Sequence, residues 1–188
     1  MELSSLNGKI IGVIGDIEDK ENYSGKKVKD IITKKVPESF RMVKMDTKIL
    51  DIDFDSLGSR DKNRVILASK LLDDDIVLVN FSKGLLKKDI DYYKKLFKKI
   101  TEYNRRIILV DKNPELFLDC VDNIYVIEND KIIYHTEDIY DVQLELYTDL
   151  PMLVKFTLQS LKLGVRIQHY KELDELLKAI YRIKSWGI

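Results

Sequence analysis

The side chains with reactive potential in this chain lie in a few short stretches. Asp16, Glu18, Asp19 and Glu21 closely follow Gly15 and bring four carboxylates to one loop, with Lys20 among them. Such a loop repels a polyphosphate. Asp73-Asp74-Asp75 has the look of a metal cluster, but adjacent carboxylates on a turn before a buried strand read as a solvated corner. Lys87, Lys88, Lys94, Lys95, Lys98 and Lys99 could face an anionic lipid or a nucleic acid. Asp89 and Asp91 on the same amphipathic segment make them instead its wet face. Cys120, beside Val121, reads as core. His135 and His169 have no nearby Ser or Cys with which to build a nucleophilic triad and are expected to be structural. Tyr23, Tyr92 and Tyr93 are expected to pack, and Trp186 either pins the last helix or meets a partner.

Composition narrows the field further. The chain has 188 residues, 45 % hydrophobic and 34 % charged, which is enough apolar content for a packed core. Thirty-two Lys and Arg balance 32 Asp and Glu, so the excess of cations that nucleic-acid binding uses is absent. No apolar run approaches the ~18 residues of a membrane span, and the start, Met1-Glu2-Leu3-Ser4-Ser5, does not read as a signal peptide. One cysteine makes no internal disulfide, and with two histidines it is too little for a Cys/His zinc cage. A cytoplasmic protein without metal is the expectation.

The elements that position these residues follow from periodicity. Lys9 to Ile14, Asp75 to Val79 and Arg106 to Val110 are short apolar runs that read as buried strands. Phe40 to Met45 alternates as a strand does. Helical spacing marks Lys26–Lys35, Arg60–Leu72 and Lys87–Tyr103, with a short helix at Pro114–Cys120. Asn123–Glu128 and Lys131–His135 flank Asn129-Asp130 as a hairpin. Beyond Ile139, Val142-Leu144-Leu146 alternates, a helix starts near Pro151 and stops at Gly164, Val165–Ile167 reads as a strand, and Glu172–Ile183 as a last helix. The expected architecture is α/β: a parallel sheet flanked by helices over residues 1–138, with a β-α-β-α appendix over 139–188.

The order of landmarks over residues 7–135 resembles the ATP-binding cassette (ABC) ATPase family, which has a P-loop NTPase fold. Leu57-Gly58-Ser59-Arg60-Asp61-Lys62-Asn63-Arg64-Val65 stands where that family has its LSGGQ signature and helix. Ile76-Val77-Leu78-Val79-Asn80-Phe81 is similar to its Walker B strand and the two residues after it. Arg106 to Asn113 resembles the next strand and its switch-histidine turn, and Val121 to Ile132 the family's ADRIYVLENGKI hairpin. The family's helical subdomain is reduced to Asp46–Ser56.

By that resemblance the chemical positions are degenerate while the scaffold persists. Gly15 opens the phosphate loop, but Glu21 stands at the lysine position and Asn22 at the metal hydroxyl, with Glu18 and Lys20 in place of inner glycines. Met45 stands at the Q-loop glutamine, Asn80 at the Walker B aspartate, Phe81 at the general-base glutamate and Lys112 at the switch histidine. Ser59 and Arg60 replace the signature glycines. The resemblance therefore implies a pseudo-ATPase: no catalytic residue, no metal, no cofactor (ATP and Mg included), and a role as accessory or regulatory partner. The implied partner is another ABC-like ATPase subunit or a second copy of the chain, without nucleic acid, and with the membrane reached at its inner face only through a permease. The alternatives are an ABC transporter subunit with a composite nucleotide site and a protein-interaction module.

Overall fold

A computed structural model of the chain describes residues 3–15, 17, 21–112, 114–165, 167–170 and 173–185. Strand β1 (Ile10–Gly15) is central, and the sheet order is β2-β3-β1-β4-β5, with β2 (Asp75–Val79), β3 (Arg106–Val110), β4 (Asn123–Glu128) and β5 (Lys131–Thr136). The first four strands are parallel and β5 is antiparallel to β4. Asn129 and Asp130 both take left-handed backbone angles (φ 49° and 58°), as a two-residue hairpin turn requires.

The helices are α1 (Val28–Ile31), α2 (Val36–Val43), α3 (Ser59–Lys70), α4 (Lys87–Thr101), α5 (Met152–Lys162) and α6 (Leu173–Ser185). The larger core lies on one sheet face, where Ile14, Ile76, Leu78 and Leu109 meet Phe40 of α2, Val65 of α3, Phe97 of α4 and Val154 of α5. The opposite face gathers Leu6, Ile11, Val13, Ile108, Val110, Tyr125 and Ile127. Ile139, Leu144, Leu150, Val154 and Leu158 join the same larger core as the strands.

Four expected elements differ. Phe40–Met45 is not a strand: Val36, Phe40 and Val43 recur at helical spacing, Pro37 sits in the first turn, and α2 results. Its C-terminus is a left-handed stop at Lys44, with the Met45 N–H donating to the Phe40 carbonyl at 2.9 Å. The helix expected over 26–35 shrinks to α1, because the chain must turn at Lys35 (φ 46°) to start α2. Val142–Leu146 is a 3-10 turn capped by Asp141, whose carboxylate accepts the Gln143 N–H at 2.9 Å. Of its three apolar residues, Leu144 is buried while Val142 and Leu146 face out, so their alternation marks no sheet face. Val165 and 167–170 carry no strand among the described residues; His169 stacks on Tyr140 at 3.8 Å. The segment beyond 139 therefore contributes helices α5 and α6 and no strand among the described residues. Between Met45 and Leu57 stand two short 3-10 turns, Thr47–Ile49 and Phe54–Ser56.

Candidate functional site

The chain leaving β1 travels toward β2, while the chain leaving β4 turns the other way into β5. Divergent connections leave a crevice at the carboxyl ends of neighbouring strands, the usual place for a ligand in an open α/β sheet. A cleft of about 780 Å³ lies there, with Ile14, Val126, Ile133, Leu146 and Tyr147 among its apolar lining. Its polar rim carries Glu128, Asp130 and Asp149 against Lys112. Asp149 is ion-paired with Lys155 of α5, and the Thr148 hydroxyl donates to the Lys112 carbonyl at 2.7 Å. A rim richer in carboxylates than in ammonium groups works against a polyphosphate.

Of the ten positions singled out in the sequence, Gly15 and Lys112 line this cleft. Gly15 has a structural reason to be glycine: a Cβ there would lie 2.4 Å from the Ile127 carbonyl of β4. Lys20 falls outside the described residues, as do Asp16, Glu18, Asp19 and Trp186. The other seven are held elsewhere by the fold. Glu21 accepts the Tyr23 hydroxyl and sits 3.5 Å from the ammonium of Lys70, itself buried at the end of α3. Asn22 turns its side-chain oxygen onto the Ser24 N–H at 3.0 Å. Met45 is half-buried against the larger core.

The turn after β2 is closed from within. Asn80 takes a left-handed conformation (φ 51°) and donates its N–H to the Val110 carbonyl at 2.8 Å. Phe81 points into the core, edge-on to Tyr93 at 4.9 Å and near Phe97 at 5.8 Å. Its carbonyl and that of Lys83 accept the Asn63 amide at 2.7 and 3.0 Å. The Ser82 N–H and hydroxyl both donate to buried Asp111, at 3.1 and 2.5 Å. Ser59, the first residue of α3, abuts Gly84 of this turn. Arg60 is ion-paired with Asp89, which also accepts the Leu86 N–H at the start of α4. Burial pushes the Asp89 carboxyl up, but the Arg60 and Leu86 hydrogen bonds and the Arg64 charge hold it, on balance, below the ordinary carboxylate range.

The segment from Ser24 into α1 is likewise engaged. Val28 and Lys29 donate to the carbonyls of Ile52 and Leu50 at 3.1 and 2.9 Å. The Gly25 N–H and Ser24 hydroxyl both donate to Asp55, at 2.7 and 2.9 Å, and these bonds lower its pKa. An internal carboxylate thus takes donors that an anion would use.

The remaining candidates are structural in form. The Asp75 carboxylate accepts from Nε and Nη2 of Arg106, at 2.7 and 2.6 Å, and no metal-ligating cluster occurs among the described residues. Cys120 is buried, and burial pushes its thiol up to about 11, far from a reactive thiolate. Asp55, Asn63 and the Ser82–Asp111 pair were missed in the sequence. Asn63 carried a legible signal, an amide next to the apolar stripe of α3.

No protein-family description matches the chain, and no curated protein does. Solved structures similar to it are ATP-binding cassettes. A dimeric bacterial ABC transporter cassette is 15 % identical with a TM-score of 0.47, over 63 % of this chain and 50 % of that one. A metal-chelate-type ABC transporter is 13 % identical at 0.47, over 68 % and 57 %. The archaeal ribosome recycling factor in complex with its stalk protein is 18 % identical at 0.45, over 58 % and 22 %. The chain thus spans between about a fifth and somewhat over half the length of these proteins. No helix among the described residues is long and apolar enough to cross a membrane.

Proposed function

We propose that this chain is a non-hydrolytic, ABC-like protein that acts through protein association. The observation that carries this reading is the self-satisfied turn after β2. The position equivalent to the general base is a core aromatic, and the neighbouring polar groups bond to Asn63, Val110 and Asp111. Activating water on a phosphate needs a proton acceptor and open donors facing the site. Supplying them here means breaking core packing and several buried hydrogen bonds. By its motifs, the partner is another ABC-like ATPase subunit or a second copy of the chain, with a membrane approached through that partner.

The test is phosphate release from Mg-ATP by the purified chain. The expected result is a rate equal to the buffer blank. A magnesium-dependent rate that EDTA abolishes and that persists through a final gel-filtration step contradicts the proposal.

A second reading, a protein-interaction module carried by residues 139–188, is favoured by the outer stripe of α5. Met152, Phe156 and Leu163 recur at helical spacing and are exposed, opposite buried Val154 and Leu158. Removing the whole segment is a poor test, because Leu144, Leu150 and Val154 belong to the main core. Met152→Lys and Phe156→Lys leave that core intact, and they should abolish partner capture if this stripe is the docking face.

A further inference from the structure

The lysines of α4 lose one of the two carboxylates expected to balance them. Asp89 is buried, held by Arg60, Arg64 and the Leu86 N–H on the inner side of the helix. Of the acidic residues of α4, Asp91 alone remains on the outer side, with Glu102 just past the C-terminus; both are exposed. Against them stand Lys87, Lys88, Lys95, Lys98 and Lys99, all exposed. The outer face of α4 is therefore basic, not balanced.

Lys88, Tyr92, Lys95 and Lys99 recur at i, i+4, i+7 and i+11, which places them along one ridge of the helix. A second element adds to it. Lys44, at the left-handed end of α2, sets its ammonium 3.9 Å from the centre of the Tyr92 ring, and the Tyr92 hydroxyl donates to the Met42 carbonyl at 2.5 Å. Four lysines thus share one ridge with a fixed tyrosine in its middle. None of Lys44, Lys88, Lys95 and Lys99 has an ion-pair partner among the described residues. Like charges three or four residues apart slightly destabilise a helix, so folding does not account for the arrangement.

We infer that this ridge is a docking surface for an acidic helix of a partner protein, laid along α4 with its carboxylates against Lys88, Lys95 and Lys99. The lysines are about 10 Å and about 6 Å apart along the axis, intervals that an antiparallel helix reproduces with carboxylates at j, j+4 and j+11. A protein suits the ridge better than a phosphate-coated surface does. Asp91 stands between Lys88 and Lys95, and Glu102 closes the row. A nucleic acid or an anionic membrane meets both with repulsion, whereas a protein can place a cation opposite each. The chain's net charge of zero also removes the long-range pull that such polyanions exploit. No helix among the described residues carries an acidic outer face of this length, so the partner is a different protein; in α6 the carboxylates end at Glu175. The inference rests on the reading of this chain as one that works by association, and adds the chemistry of the partner.

Fluorescence anisotropy of a labelled Glu/Ala helical peptide of about 20 residues, titrated with the full chain to about 500 μM in about 20 mM salt, tests it. A labelled oligothymidylate of similar length and phosphatidylglycerol vesicles are the comparison probes. Saturable peptide binding is expected, tighter than binding of either comparison probe. The triple change Lys88→Glu, Lys95→Glu and Lys99→Glu should weaken it at least about tenfold. A control triple, Lys9→Glu, Lys131→Glu and Lys178→Glu, makes the same change of net charge at exposed lysines on other elements and should stay within about threefold of the parent. Far-UV circular dichroism checks that each variant is folded; Lys95→Glu alone, expected to weaken binding about threefold, replaces the ridge triple if that is not. No peptide binding over this range overturns the inference. So does equal weakening by the two triples, or tighter binding of the oligonucleotide or the vesicles. Phosphate release from Mg-ATP tests the association reading separately, because it does not depend on these lysines.

Discussion

The carboxyl end of the sheet has a closed half and an open half. Around β2 and β3 the polar groups of the turn are engaged inside the chain: Asn63 on two carbonyls, Ser82 on Asp111, Arg60 on Asp89. The Nε of Arg60 and of Arg64 and the Tyr93 hydroxyl are buried without a hydrogen-bond partner among the described residues. Around β4 and β5 the chain leaves a cleft and exposed Ile132, Ile133 and Leu146. The closed half is the one whose motif order resembles a hydrolytic site. Of the positions singled out in the sequence, only Gly15 and Lys112 reach the open half. The residues of the turn after β2 are structural in their contacts, and the cleft lies between β1 and β4.

Substitutions should therefore separate the halves by their cost. The largest effect is expected from Phe81→Ala, which removes a buried ring from Tyr93 and Phe97 and should cost about 3–5 kcal/mol in denaturant unfolding. A cost under about 1 kcal/mol would mean that this turn is not built into the core.

A smaller effect is expected from pH. The folded pKa of Asp89 is depressed below its ordinary value, so its stabilising contribution is complete above that value and is lost as pH falls through about 4 toward the folded pKa. Melting temperatures from pH 6 to pH 3 should fall less steeply in Asp89→Asn than in the parent chain. Equal slopes would remove Asp89 and Arg60 as a linked pair. The smallest effect belongs to the open half: Leu146→Ser should change unfolding free energy by less than about 0.5 kcal/mol, because that side chain already faces water. A cost of several kcal/mol would show the half to be closed after all.

The strands were legible because β1 and β3 are apolar runs buried on both faces and β2 is an apolar run half-buried on its second face, and the hairpin because Asn129-Asp130 suits left-handed backbone angles. α2 was misread because Phe40, Met42 and their neighbours satisfy a period of two over a stretch too short to exclude 3.6. The three residues Val142, Leu144 and Leu146 alternate for a different reason: one packs and two face out. The sequence shows which residue types stand at the positions expected for the site. What could not be read is where those side chains go. That Phe81 enters the core, that Glu21 meets Lys70 and that Asp55 takes the donors of Ser24 and Gly25 depends on pairings between residues far apart in sequence. The cleft is similar: it is assembled from β1, β4, β5 and the 3-10 turn near Leu146.

In the proposed function the closed half takes no nucleotide. Calorimetric titration of the purified chain with Mg-ATP to about 2 mM, where binding of roughly 4 kcal/mol still gives heat, addresses it most directly. No saturable heat is the expected result. Saturable one-to-one binding would contradict the account and return the loop after Gly15 to phosphate capture.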